Sequence, residues 1–156
     1  MNIRAIVPLG AAAIVTALYL AGGGIASADP VSKDEAVAMV QKAVASIKSE
    51  GAEKAYAEIS NPSGKFVDRD LYIVVYGLDG LVLAHGANAS GVGTNQIDDK
   101  DPDGKAFVKE RVELAKQQPS FWQTYKFMNP VTKKVEPKQM YCERLAETAV
   151  CGGIYQ

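Results

Sequence analysis

The sequence predicts an α+β domain: a five-stranded antiparallel sheet with a long N-terminal helix on one face and a loop plus a second helix over the other. Three observations predict it. A capping-box pattern at Ser32-Lys33-Asp34-Glu35 opens a stretch whose apolar positions Val37, Val40, Val44 and Ile47 recur at helical spacing. Two β-branched and aromatic runs then flank the turn Leu78-Asp79-Gly80. Three further runs of that kind follow a second amphipathic segment and close the sequence.

In order along the chain, residues 1–28 come first. They carry a single Arg4, an alanine-rich apolar run over 5–21, and Ala26-Ser27-Ala28 before Asp29-Pro30. This pattern predicts a secretory leader cut after Ala28, leaving one domain over 29–156 that is periplasmic or secreted. The competing expectation is an uncleaved leader that anchors the domain to a membrane. Gly51 interrupts the first helix, Ala55, Tyr56 and Ile59 continue its apolar stripe, and Asn61-Pro62-Ser63-Gly64 stops it. Residues 66–76 and 81–85 form a hairpin. The Gly-, Asn- and Ser-rich stretch 86–98 is a loop wrapping one sheet face, and the second helix runs from about Lys105 to Gln118 until Pro119 ends it. Beyond the leader there is no internal repeat, linker or low-complexity tract.

Charge excludes some partners. Of 17 basic and 18 acidic residues, the leader holds only Arg4, so the exported part carries 16 against 18, a formal charge of −2. Its lysines alternate with glutamates rather than clustering with aromatics, which is not the composition of a nucleic-acid-binding surface.

The two cysteines, Cys142 and Cys151, lie in the exported part, where thiols oxidise. If the strands around them form a hairpin with Ala146-Glu147 at its tip, the two face each other, and a bridge between them adds roughly 2–3 kcal/mol. The same register sets Lys138 across from Tyr155 and Met140 across from Gly153. Gly153 then removes a side chain beside Lys138, baring backbone where a small ligand finds an ammonium and a phenol. Taken without other information, Lys138 reads first as an edge-strand lysine that blunts sheet pairing.

Several segments together carry a family resemblance. They are Asp70-Leu71-Tyr72-Ile73-Val74-Val75-Tyr76, Asp79-Gly80, Ala84-His85, Asp101-Pro102-Asp103-Gly104-Lys105, Trp122 through Pro130, Glu136-Pro137-Lys138-Gln139-Met140-Tyr141 and Gly152-Gly153-Ile154-Tyr155. In this order they resemble the single-Cache (type 2) extracytoplasmic sensor domains, over nearly all of the chain after its leader. The resemblance implies a PAS-like fold, ligand sensing, and a ligand-contacting role for Lys138; it does not identify the ligand. It also implies a pocket position for Tyr125, which shares a face with Phe127, and it raises His85, the single histidine, as a ligand contact beside Tyr155. Trp122 lies on the opposite parity and belongs to core or rim, and Tyr141 packs toward the long helix.

Asp99, Asp101, Asp103 and Glu110 fit the spacing of a calcium loop. The residues before Asp99 cannot form an entering helix, however, and the related domains carry the same turn, so the expectation is an acidic helix entry without metal. Catalysis has no support: no nucleophile lies in a base-containing motif, and His85 has no carboxylate partner by spacing. Gly91-Val92-Gly93 is not completed into a phosphate loop, and no cofactor is called for. The expectation is therefore an exported domain that binds a small organic acid or amino acid and acts with a separate membrane receptor or sensor kinase. The alternative is a ligand-independent interaction subunit of an envelope complex.

Overall fold

A computed structural model describes residues 29–156; the expected leader and its cut site lie outside the described residues. Helix α1 (Lys33–Glu50) starts at Ser32, whose hydroxyl accepts the N–H of Glu35 at 3.2 Å while the Glu35 carboxylate accepts the N–H of Ser32 at 2.7 Å. Gly51, at φ 87°, ends it and turns the chain into α2 (Ala52–Ile59), so the expected long helix is two helices on one apolar stripe.

Residues 66–76 are not one strand. Arg69 adopts φ 56°, which folds the chain back and separates a two-residue β1 (Val67–Asp68) from β2 (Leu71–Gly77). The left-handed turn is stabilised by what the Arg69 side chain reaches: Asp68, Glu35 and the carbonyl of Asp29. Strand β3 (Val82–His85) pairs with β2, with a register shift at Tyr76. The expected loop over 86–98 includes a 3-10 turn at Ala89–Gly91 and first follows the edge of β3, where Val82 and Thr94 exchange a backbone bond, before Ile97 packs beneath α3. Helix α3 (Phe107–Gln117) leads into β4 (Ser120–Met128), β5 (Val135–Leu145) and β6 (Thr148–Tyr155).

The sheet order is β2-β6-β5-β4, with β1 and β3 both on β2, all neighbouring strands antiparallel. Five strands are of normal length and the sixth is the short β1. Strand β2 is buried at every residue because both sheet faces are covered. Ile73 and Val75 meet Val40, Val44 and Ile59 of the first two helices, whereas Tyr72, Val74 and Tyr76 meet Phe107, Val108 and Ala115 of α3. Cys142 and Cys151 are bonded, and their strands pair in the register the sequence implies, Lys138 with Tyr155 and Met140 with Gly153.

The acidic turn has a structural task. Asp101 accepts the N–H groups of Asp103 and Lys105 on Oδ1 and that of Lys126 on Oδ2. Lys105 Nζ donates to the carbonyl of Thr124 at 2.6 Å. The turn thus occupies outward-facing backbone groups of β4, the strand at the sheet's end, and shields that edge from pairing with another chain. Asp103 pairs with Lys126 and Glu110 with Lys105, so these carboxylates diverge toward separate cations. No group of three or more His, Cys, Asp or Glu among the described residues is placed to hold a metal ion.

Candidate ligand-binding site

Alternation along the strands sends Tyr72 and Tyr76, Tyr125 and Phe127, Lys138 and Met140, and Tyr155 to the α3 face of the sheet. Lys138 sits in the middle of a cross-strand row, opposite Tyr125 on β4 and Tyr155 on β6. It is wholly buried. Its Nζ lies 3.9 Å from the Tyr72 ring centre and 4.5 Å from that of Tyr155, with the Tyr155 hydroxyl at 3.3 Å. None of the ion pairs among the described residues includes it.

A second cation enters from the helix above. Arg111 of α3 is also wholly buried, its guanidinium 4.9 Å from the Tyr76 ring centre and 5.0 Å from that of Tyr125. Nε donates to Gln123 Oε1 at 3.1 Å, and Gln123 is itself fixed by donating to the Phe107 carbonyl and the Glu110 carboxylate. Neither terminal nitrogen makes a well-formed hydrogen bond among the described residues; the Tyr76 and Tyr125 phenols beside them serve only as weak acceptors. A buried donor left unmade costs about 1–3 kcal/mol, and more when it is charged. Two basic side chains walled by aromatic rings are thus buried on one face of the sheet.

The remaining residues trim this compartment. Tyr125 stacks on Phe107 at 4.7 Å and points its hydroxyl at the Met140 sulfur, and burial pushes its phenol up to about 12. Tyr155 is only partly buried; its hydroxyl donates to the Met128 carbonyl at 2.9 Å and lies 3.1 Å from that of Tyr72. His85 stacks on Tyr72 at 5.1 Å, and its Nδ1 accepts the N–H groups of Ala87 and Asn88. Burial above all holds its pKa down at about 4, so the imidazole is neutral at neutral pH. Lys138 and Tyr155 are thus in contact, and Tyr125 faces Lys138 across the ladder. His85 reaches the group only through Tyr72.

Trp122, by contrast, lies on the opposite face, 37 % exposed, against Tyr141 and beneath the Lys33 ammonium. Arg111 is the functional candidate that sequence reading missed. The signal was an arginine among the inward positions of a short helix, where an aliphatic residue is the ordinary choice.

A helix-covered antiparallel sheet of this order, with aromatic side chains packed around two buried basic residues beneath α3, is the architecture of a PAS-like domain. The chain belongs to the Single Cache domain 2 family, whose sequence model matches residues 26–151. The fold agrees with solved structures of similar domains. A methyl-accepting chemotaxis protein from Vibrio parahaemolyticus aligns with TM-score 0.68 at 22% identity, covering 79% of this chain and 87% of that one. A Cache chemosensory domain described for its carboxylic acid recognition aligns at 0.66 and 21%, covering 78% and 91%. A periplasmic sensor domain of a chemotaxis protein aligns at 0.63 and 20%, covering 78% and 88%. No curated protein matches the sequence. Cache domains are extracytoplasmic, ligand-sensing modules, and among the described residues no helix is long and apolar enough to cross a membrane.

Proposed function

We propose that this domain, exported by its leader, binds a small organic acid or amino acid through its carboxylate and reports occupancy to a separate membrane receptor or sensor kinase. One observation carries the reading: Lys138 and Arg111 are wholly buried on the same face of the sheet with no anion beside them. A carboxylate offers two oxygens to the unused Arg111 nitrogens and a charge to the Lys138 ammonium. Tyr125 and Tyr155 complete the walls, and His85 braces Tyr72 from behind. No residue is assigned a catalytic step. The carboxylic acid recognition described for a domain of the same fold supports the same ligand class.

Thermal-shift measurements against C2–C6 carboxylates and amino acids test the reading. Ligand at a hundredfold over its dissociation constant stabilises by about 2.7 kcal/mol. The expected result is a shift with one short carboxylate that is lost in Lys138→Ala and in Arg111→Ala. The absence of any shift, or a shift undiminished in Lys138→Ala, overturns it.

A further inference from the structure

Two buried cations facing one compartment pose a problem before any ligand arrives. Arg111 does not release its proton under any ordinary condition, whereas a lysine ammonium does. The like charge of Arg111 and the loss of water around Nζ therefore fall on Lys138, offset only in part by the Tyr72 and Tyr155 ring faces, and among the described residues its one hydrogen-bond partner is the Tyr155 hydroxyl at 3.3 Å. Resting on the carboxylate reading above, we propose that the site captures its anion together with one proton from solvent, and that Lys138 is the group that takes it up. The empty site holds Lys138 as the neutral amine and Arg111 as the cation. A carboxylate entering between them lets the amine accept a proton, so that ammonium, carboxylate and guanidinium share one cluster whose net charge of +1 equals that of the empty site. The charge carried into the dry compartment sums to zero, which is the condition for closing it over an ion.

The other groups packed around Nζ leave this role to the lysine. Burial, followed by the Arg111 charge, drives the Lys138 pKa well below the ordinary lysine range. Asp70, ahead of β2, works in the opposite direction, yet its carboxylate accepts from Asn129 at 3.1 Å and makes no ion pair with Lys138. Tyr72 of β2 and Tyr125 and Tyr155 of the flanking strands have phenols pushed up by burial, so they keep their protons. Glu136 of β5 is held low by Thr132 and Asn129 and stays ionised. His85 of β3 has Nδ1 occupied, and at pH 8 its imidazole is neutral with or without a neighbouring anion.

Isothermal titration of the purified protein with acetate and propionate at pH 8.0, in phosphate and in Tris, measures the protons exchanged from the difference in apparent enthalpy. The expected result is an uptake of about 0.5–1 proton per ligand, with affinity tightening up to tenfold for each unit that pH is lowered while Lys138 titrates. Lys138→Arg, which keeps the charge but cannot shed it, is expected to bind with no uptake. A direct readout accompanies this: the 13Cε signal of Lys138, assigned by its loss in Lys138→Met, should titrate well below 10 in ligand-free protein. Binding of either acid without proton uptake, or a Lys138 ammonium that stays charged up to pH 10 in the empty protein, overturns the proposal and leaves the carboxylate reading standing. A neutral Lys138 together with no binding of any carboxylate refutes that reading and removes the proton-coupled step with it.

Discussion

A Cβ on Gly153 would come within 2.8 Å of the Lys138 Cε, and equally within 2.8 Å of the Gln139 carbonyl oxygen. The lysine stem lies across the bare backbone of β6 because position 153 has no side chain. Two facts of the sequence, a glycine and a lysine fifteen positions apart on paired strands, are thus one geometric feature.

Gly153→Ala is accordingly expected to destabilise the protein by about 1–3 kcal/mol through overpacking and to weaken carboxylate binding by displacing Nζ. Urea unfolding checks the first effect and titration calorimetry the second. Gly152→Ala is the informative neighbour, since its Cβ would meet Ile73 and Val40 side chains on the other face, leaving the anion compartment untouched.

Replacing Lys138 by Met removes an unpaired buried amine from an aromatic surround. Ligand-free stability at pH 7 is expected to rise by roughly 1–4 kcal/mol, while the carboxylate-induced thermal shift disappears. The folded-state pKa of Lys138 lies below its unfolded value, so the unfolded chain binds the extra proton and wild-type stability climbs as pH rises toward the unfolded lysine pKa. The advantage of the variant therefore shrinks at pH 10, which chemical denaturation at the two pH values measures.

His85 supplies a separate pH signature. Its folded pKa of about 4 lies below the unfolded value of 6.5, so its contribution is complete above pH 6.5 and is lost as pH falls toward 4. Between pH 7.5 and 5 the wild type is expected to lose roughly 2 kcal/mol that His85→Gln does not lose. Parallel curves for the two proteins would sink this account of the imidazole.

The sheet and its register were legible because β4 and β5 alternate and the cysteine pair pins the continuously buried β6 against β5, which in turn placed Lys138 beside Tyr155. Arg69 was not legible. A non-glycine residue in the left-handed region gives no compositional warning, and its turn depends on Glu35 and Asp29, which come from far away in the sequence. Arg111 escaped as a site residue for a related reason: its inward position follows from the helical spacing, but its place among Tyr76, Phe107 and Tyr125 is set only by tertiary packing. The Asp-x-Asp-x-Asp-Gly turn was read correctly as a turn, but its three backbone bonds, one of them to β4, are a tertiary fact.

That turn makes its own prediction. Millimolar calcium and excess EDTA should give superimposable melting curves, because Asp103 and Glu110 are engaged by lysines and Asp101 by amide groups. Asp101→Ala is expected to lower the melting temperature by several degrees and to promote association at moderate concentration, seen by light scattering, as the freed edge of β4 pairs with other copies. A calcium-specific rise in melting temperature that Asp101→Ala abolishes would reverse this assignment.

Reduction of the Cys142–Cys151 bond, which closes a nine-residue separation, should remove roughly 2–3 kcal/mol of stability, measured by urea unfolding with and without reductant.

The position of β6 between β2 and β5 also governs when the molecule comes into being. Register pairs Val75 with Val150, so the middle of the sheet joins segments 75 residues apart in sequence. Topologies dominated by such distant pairings fold on the order of milliseconds to seconds rather than microseconds. Until Thr148–Tyr155 is available, β2 lacks a neighbour and the compartment lacks a wall. The sheet therefore closes only when these distant segments have met.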